Sequence, residues 1–269
     1  MNWWGKLVGG AFGFMLGGPL GALLGAALGH NLDKGLSGLQ TEEELDPGER
    51  ERVQTAFFTA SFSVMGAVAK ADGQVSREEI ALAEAVMTEM DLAPDLRKAA
   101  IRLFNEGKSD GFPLDEVLEQ FRLECHRRQT LMQMFMEIQI QAAYADGQLD
   151  GAEESLLLHI CDQLGISHFT YRRLEQMIRA ERHFRGGEGA RRPAEQQKGP
   201  SLADAYAILN VSSDASDSEV KKAYRRLLSQ HHPDKLVAKG LPEEMMKIAT
   251  RKTHEIRQAY EQVKKNRGF

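Results

Sequence analysis

From Leu7 to Gly29 the chain carries no charged side chain. No other feature narrows the possible folds as sharply. As an α-helix those 23 residues reach roughly 34 Å, enough to cross the hydrocarbon core of a bilayer. The segment is therefore expected to cross a membrane once, as a retained anchor. Trp3 and Trp4 stand just outside it, where amphipathic rings sit at the lipid–water boundary. A cleaved leader is the competing reading, with Gly25-Ala26-Ala27 resembling a cleavage site. Such leaders have a shorter apolar core, of about 7–15 residues. Lys6 precedes the span, whereas Lys34, Arg50 and Arg52 follow it. Positive charge gathers on the cytoplasmic side, so the bulk of the chain is expected there.

Gly9, Gly13, Gly17, Gly21, Gly25 and Gly29 recur every fourth residue and share one helix face. A stripe without side chains lets two helices approach closely in lipid, where van der Waals packing drives association. The anchor is therefore expected to pair with a second copy and make the protein a homodimer. Pro19 can bend the span.

After a Gly/Ser-containing, acidic connector over 31–48, residues 49–182 show helical spacing and no convincing strand alternation. Phe57, Phe58, Ser61, Phe62, Met65 and Val68-Ala69 repeat at helical intervals. One motif occurs twice: Ala-Asp-Gly-Gln begins at Ala71 and again at Ala145, 74 residues apart. Each copy ends an apolar helix, turns at Gly73 or Gly147, and starts another helix. Ser76 with Glu79, and Asp150 with Glu153, read as capping boxes. Pro94 and Ser167 mark further helix starts. About seven helices in two related halves are expected. The Met-rich run from Leu131 reads as core, because Met fills irregular gaps.

Asp72, Glu79, Asp146 and Glu153 are hard oxygen donors and the only metal-ligand candidates. Their spacing is not that of an EF-hand, since Gly follows the first Asp directly. Turn and cap chemistry is the plainer account of them. His126 and His159 lack paired ligand spacing. The two cysteines, Cys125 and Cys161, form no C-x-x-C pair and point weakly to a reducing compartment. This region resembles the TerB-like tellurite-resistance fold, whose Asp-Gly turns match Asp72-Gly73 and Asp146-Gly147. Members of that family have been associated with divalent cations, which keeps the metal reading open.

Residues 183–200 mix Gly, Pro, Gln and charge and read as a flexible linker. Beyond them the charge balance reverses. Residues 41–182 hold 15 Lys/Arg against 27 Asp/Glu, whereas residues 201–269 hold 13 against 9. The two parts are thus expected to serve different partners, and can also attract each other. In 201–269 a short helix is followed by a second one capped by Ser216 and Glu219. Val220, Ala223, Tyr224, Leu227 and Leu228 line its apolar face, and Lys221, Lys222, Arg225 and Arg226 its polar face. A third helix turns Ile248, Ile256, Ala259, Tyr260 and Val263 inward. The two long helices should pair antiparallel. Between them, His232-Pro233-Asp234 ends the second helix, because Pro233 drives His232 out of helical geometry. Asp234 is placed to accept two hydrogen bonds from a partner's arginine.

With "YAILNV", "VKKAYRRLLSQHHPDK" and "EIRQAYE" in this order, the unit resembles a J domain, the signature module of DnaJ-type co-chaperones. The resemblance implies a DnaK-type chaperone ATPase as partner. His232, Pro233 and Asp234 would trigger its ATP hydrolysis, and Lys221, Lys222, Arg225 and Arg226 would dock on its acidic surface. Nucleic acid is not expected as a partner: the net charge is modest and no stacking aromatics flank the cluster.

Taken whole, the fold class is all-α. A single transmembrane helix (1–30) precedes the TerB-like helical domain (49–182), the linker and a J domain (201–269) with a long antiparallel helix pair. This order looks like the DjlA family of membrane-anchored DnaJ-like proteins. The resemblance implies an inner-membrane location, with the short N-terminus periplasmic. The chain lacks the Gly/Phe-rich segment and the zinc module of ordinary DnaJ. It is expected to recruit a chaperone to envelope-associated clients or signalling rather than to hold clients itself. No hydrolase, nucleotide-binding or cofactor motif is visible, so no enzyme activity and no cofactor are expected. The alternative is a cation or envelope-stress sensor, with the middle domain as input and the J domain as output.

Overall fold

The computed structural model of this protein describes residues 18–23, 47–71, 73, 77–126, 128–144, 148–189 and 201–269. Of the glycine ladder, only Gly21 falls among them. Gly9, Gly13, Gly17, Gly25 and Gly29 lie outside the described residues. Residues 18–23 are helical. Leu20 is buried, and its amide donates to Gln120 Oε1 at 2.7 Å. Among the described residues, no helix is long and apolar enough to cross a membrane.

Seven helices are described between residues 47 and 189. They are α1 (Pro47–Ala69), α2 (Arg77–Glu89), α3 (Pro94–Gly107), α4 (Leu114–Glu124), α5 (Gln129–Ala143), α6 (Gly151–Leu164) and α7 (His168–Gly189). The sequence repeat is real in space: α1 ends at Ala69 and α5 at Ala143, and the following helices begin at Arg77 and Gly151. Two related helix pairs result, offset by the repeat length, and Gly147 of the second connection lies outside the described residues.

From Ala56 on, α1 is buried on nearly every face, and so is most of α5, which carries the polar Glu137 and Gln139 inside with its apolar residues. Phe57 and Phe62 of α1 are fully buried, as is Phe135 of α5 beside its buried neighbours Met132, Met134 and Met136. Phe121 of α4 completes a ring cluster: its centroid lies 4.6 Å from that of Phe135 and 6.0 Å from that of Phe57. α1 and α3 approach so closely that only glycine fits at Gly66 and Gly107. Cys125 and Cys161 are buried free thiols, both pushed up to about 12, mainly by burial.

Local chemistry sets the ends as the sequence suggests. Asp150 caps α6, its carboxylate accepting from the Ala152 amide while Glu153 Oε2 accepts from the Asp150 amide at 2.9 Å. Gly165 stops α6 in the left-handed region, at φ 68°. Ser76 lies outside the described residues, so its expected capping box with Glu79 does too.

The C-terminal unit consists of α8 (Leu202–Leu209), α9 (Asp217–Gln230), α10 (Pro233–Ala238) and α11 (Met246–Arg267). α9 and α11 run antiparallel: Asp217 meets Arg267 at one end, and Tyr224 stacks on Tyr260 further along, centroids 4.0 Å apart. Val220, Leu227, Ile256, Ala259 and Val263 form the core with α8. Ile248 departs from expectation. It is buried, but against the helical domain rather than inside the J-like unit. The segment expected as linker also differs, for α7 runs on to Gly189. Ala180 and Phe184 of α7 join the core around α8 and α9.

The two units therefore share one packed body. Leu236, Leu241, Met245, Ile248 and Ala249 belong to the same buried cluster as Phe57 and Phe135. Gly240, at φ 97°, presses on Val53 of α1 so closely that a Cβ there would lie 2.6 Å from a Val53 methyl.

Candidate functional site

Ser216 opens α9 with a reciprocal cap: its amide donates to Glu219 Oε2 at 2.7 Å, and Ser216 Oγ accepts from the Glu219 amide. The Ser216 side-chain and backbone donors hold the Glu219 carboxyl below its ordinary value. From this fixed start, helical spacing sends Val220, Ala223 and Leu227 inward and buries them. Lys221, Lys222, Arg225 and Arg226 are all exposed, four cations in two successive turns of one outward face. Lys221 Nζ lies 4.4 Å from the Phe269 ring centroid.

α9 stops at His231, whose amide donates to the Leu227 carbonyl at 3.0 Å. His232 then takes extended backbone, φ −65° and ψ 124°, as the residue before a proline must. Pro233 occupies the first position of α10, where its missing N–H costs nothing. The Leu236 amide closes that turn on the His232 carbonyl at 3.0 Å. The stretch that follows the triplet, between the two long helices, is itself a short helix. His232 and Asp234 side chains are 47% and 86% exposed, with 3.9 Å between Nδ1 and Oδ2. The triplet and the basic face thus lie open on the surface together, and the helical domain does not cover them.

The sequence reading missed a second, buried set of groups just behind the triplet. His231, Glu137 of α5, Glu181 of α7 and Lys252 of α11 are all buried. Lys252 Nζ lies 3.0 Å from Glu137 Oε2 and 2.6 Å from Glu181 Oε1. His231 Nε2 lies 3.8 Å from Glu137 Oε1. Burial pushes the Glu137 carboxyl up, but Lys252, with His231, outweighs it and holds the group below its ordinary value. Burial pushes the His231 ring down against the pull of Glu137. No local signal marked this cluster, because its members are scattered from 137 to 252.

Of the metal-ligand candidates, Asp72 and Asp146 lie outside the described residues, as does the Glu79 side chain. Glu153 is the cap partner of Asp150. Among the described residues, no group of three or more His, Cys, Asp or Glu is placed to hold a metal ion. His126 is exposed, and His159 pairs with Asp115 at 2.6 Å on the surface.

Three family models match separate parts of the chain. The model described as co-chaperone DjlA transmembrane domain matches residues 1–39, tellurite resistance protein TerB residues 58–176, and DnaJ domain residues 204–267. Curated relatives match end to end. The co-chaperone protein DjlA of Coxiella burnetii is 47% identical over 273 residues, covering 100% of both chains. That of Photobacterium profundum is 45% identical over 282 residues, covering 99% of each. That of Escherichia coli K12 is 42% identical over 274 residues, again covering 100% of both. No solved structure matches.

Proposed function

The chain belongs to the DjlA family of membrane-anchored J-domain co-chaperones, and from that premise we propose that it recruits a DnaK-type chaperone and stimulates its ATP hydrolysis. The observation that carries this reading is the joint exposure of His232, Asp234 and the α9 cations on one accessible surface. Lys221, Lys222, Arg225 and Arg226 speed the encounter and set its orientation, since exposed charges act mainly on association. Pro233 fixes the turn, and His232 and Asp234 make the contacts that trigger hydrolysis in the partner. The chain itself catalyses nothing.

The positive charge after the span supports an inner-membrane, single-pass arrangement with the helical and J domains in the cytoplasm. The six-glycine register supports self-association of the anchor. A chaperone captured there is loaded onto envelope-associated clients.

The test is single-turnover ATP hydrolysis by a DnaK-type chaperone with the full chain in detergent micelles. Wild type should accelerate hydrolysis, and His232→Gln and Asp234→Asn should each abolish the acceleration. Equal stimulation by wild type and both folded variants would sink the assignment.

A further inference from the structure

The His-Pro-Asp triplet is pinned from both sides by residues rooted in the other domain. One residue before it, the buried His231 ring faces Glu137 of α5. Two residues after it, Leu236 is fully buried in the cluster that includes Phe57 and Phe135. Gly240 then rests on Val53. The apolar contacts hold α10 as a body, but they are not directional. On the polar side Glu137 pairs with Lys252 through Oε2 at 3.0 Å, and its Oε1 faces the His231 ring at 3.8 Å, an electrostatic contact longer than a hydrogen bond.

We propose that Glu137, in the helical domain, is a positioning residue for the His-Pro-Asp motif, acting through His231 and Lys252 to fix the angle at which α9 hands over to the triplet. The inference rests on the co-chaperone reading above. It makes the helical domain part of the device that presents the trigger, rather than a spacer beneath it.

The charged groups around the contact are few and come from three elements and a loop. α5 supplies Glu137, α7 supplies Glu181, α11 supplies Lys252 with Arg251 and Glu255, and the α9–α10 junction supplies His231. Three carboxylates thus face two permanent cations and one imidazole. Without the Glu137 carboxylate, Lys252 keeps Glu181 as a partner, while His231 loses the anion it faces. The expected damage falls on the motif rather than on α11. Misplacing a reacting group by a small distance is costly in rate even when binding is intact.

The experiment titrates the full chain in detergent micelles into single-turnover hydrolysis by a DnaK-type chaperone. Glu137→Gln is expected to lower the maximal stimulated rate about tenfold, or about 1.4 kcal/mol of barrier. The half-saturating concentration should stay at the wild-type value, because the α9 cations are untouched. A purely structural role would not produce that split. An unchanged or increased maximal rate in folded Glu137→Gln overturns the proposal. Should Glu137→Gln fail to fold, His231→Phe reads the same link from its other end: an aromatic ring, slightly larger, stays and the ring nitrogens go. It must show the same split, and a wild-type maximal rate in that variant overturns the proposal equally. His232→Gln in the same series separates the two readings. If it abolishes stimulation while the Glu137 and His231 variants do nothing, the co-chaperone reading stands and the positioning role falls. If wild type itself gives no stimulation, both fall.

Discussion

Gly66 of α1 lies against the backbone of Phe104 in α3 so closely that a Cβ built on it would sit 2.0 Å from the Phe104 carbonyl oxygen. Gly107 repeats the relationship in reverse, with 1.8 Å to the Ser63 carbonyl oxygen. The obstacle in both cases is backbone, which no rotamer change relieves. Gly66→Ala or Gly107→Ala should therefore drive α1 and α3 apart and cost at least about 2 kcal/mol. Chemical denaturation of the full chain in detergent checks it. A variant as stable as wild type would mean that the two helices do not cross this tightly.

Arg267 ties its helix to four other points. Its guanidinium donates to the Tyr206 hydroxyl at 2.6 Å, to the Ala215 carbonyl at 2.5 Å, to Asp217 at 3.0 Å and to the Ser213 carbonyl at 2.7 Å. A planar fork makes these bonds together, and an ammonium cannot. Arg267→Ala should lower the thermal midpoint of the J domain by several degrees, and Arg267→Lys should recover only part of that. Full recovery by lysine would show that charge alone matters here.

Charge reversal on the outward face of α9 should separate association from folding. Lys222 and Arg226 are exposed, and surface changes of this kind shift stability by no more than about 0.5 kcal/mol. Lys222→Glu with Arg226→Glu should slow binding of a DnaK-type chaperone. It should also flatten the dependence of that rate on salt, since these contacts are screened beyond roughly 8 Å at physiological ionic strength. Stopped-flow association at several salt concentrations reads both effects. An unchanged salt slope would take the docking role away from this face.

Acid should loosen the joint between the two domains. When unfolded, the His231 ring takes up a proton as the pH falls through its ordinary value of 6.5. When folded, burial keeps the proton off, so each step of acidification below that value favours the unfolded side. Glu137 acts in the same direction at lower pH: its folded carboxyl is held below its ordinary 4.5, so its stabilising contribution is present above that value and is lost as the pH falls through the folded one. Thermal midpoints of the full chain should fall between pH 7 and pH 5, and His231→Phe should flatten that part of the curve. An identical pH profile in the variant would show that His231 is not the group responsible.

How much of this was legible beforehand depends on the range of the interactions involved. The caps at Asp150 and Ser216 and the extended backbone at His232 are set within four residues of chain, and each appears where the sequence places it. Phe57, Phe62 and Phe135 were legible as core because helical periodicity records burial. Ile248 was legible as buried but not as to where. Periodicity says that a face is covered, not which partner covers it. The continuation of α7 through residues 183–189 ran against local signals, since "HFRGGEG" is rich in poor helix formers. Packing of Phe184 against the J-domain core offsets that propensity. The Glu137–Lys252–Glu181 cluster had no local trace at all, because three distant segments meet only once the domains dock.

The path of α7 alters what counts as a module. Phe184 and Ala180 are walls of the J-domain core but lie on a helix that begins in the other domain. Lys252 in turn neutralises two carboxylates that would otherwise be stranded inside that domain. A chimera joined at residue 200, carrying a foreign J domain, would inherit an uncovered phenylalanine on one side and two buried, unanswered negative charges on the other. In the laboratory, the unit to exchange is the pair of domains together.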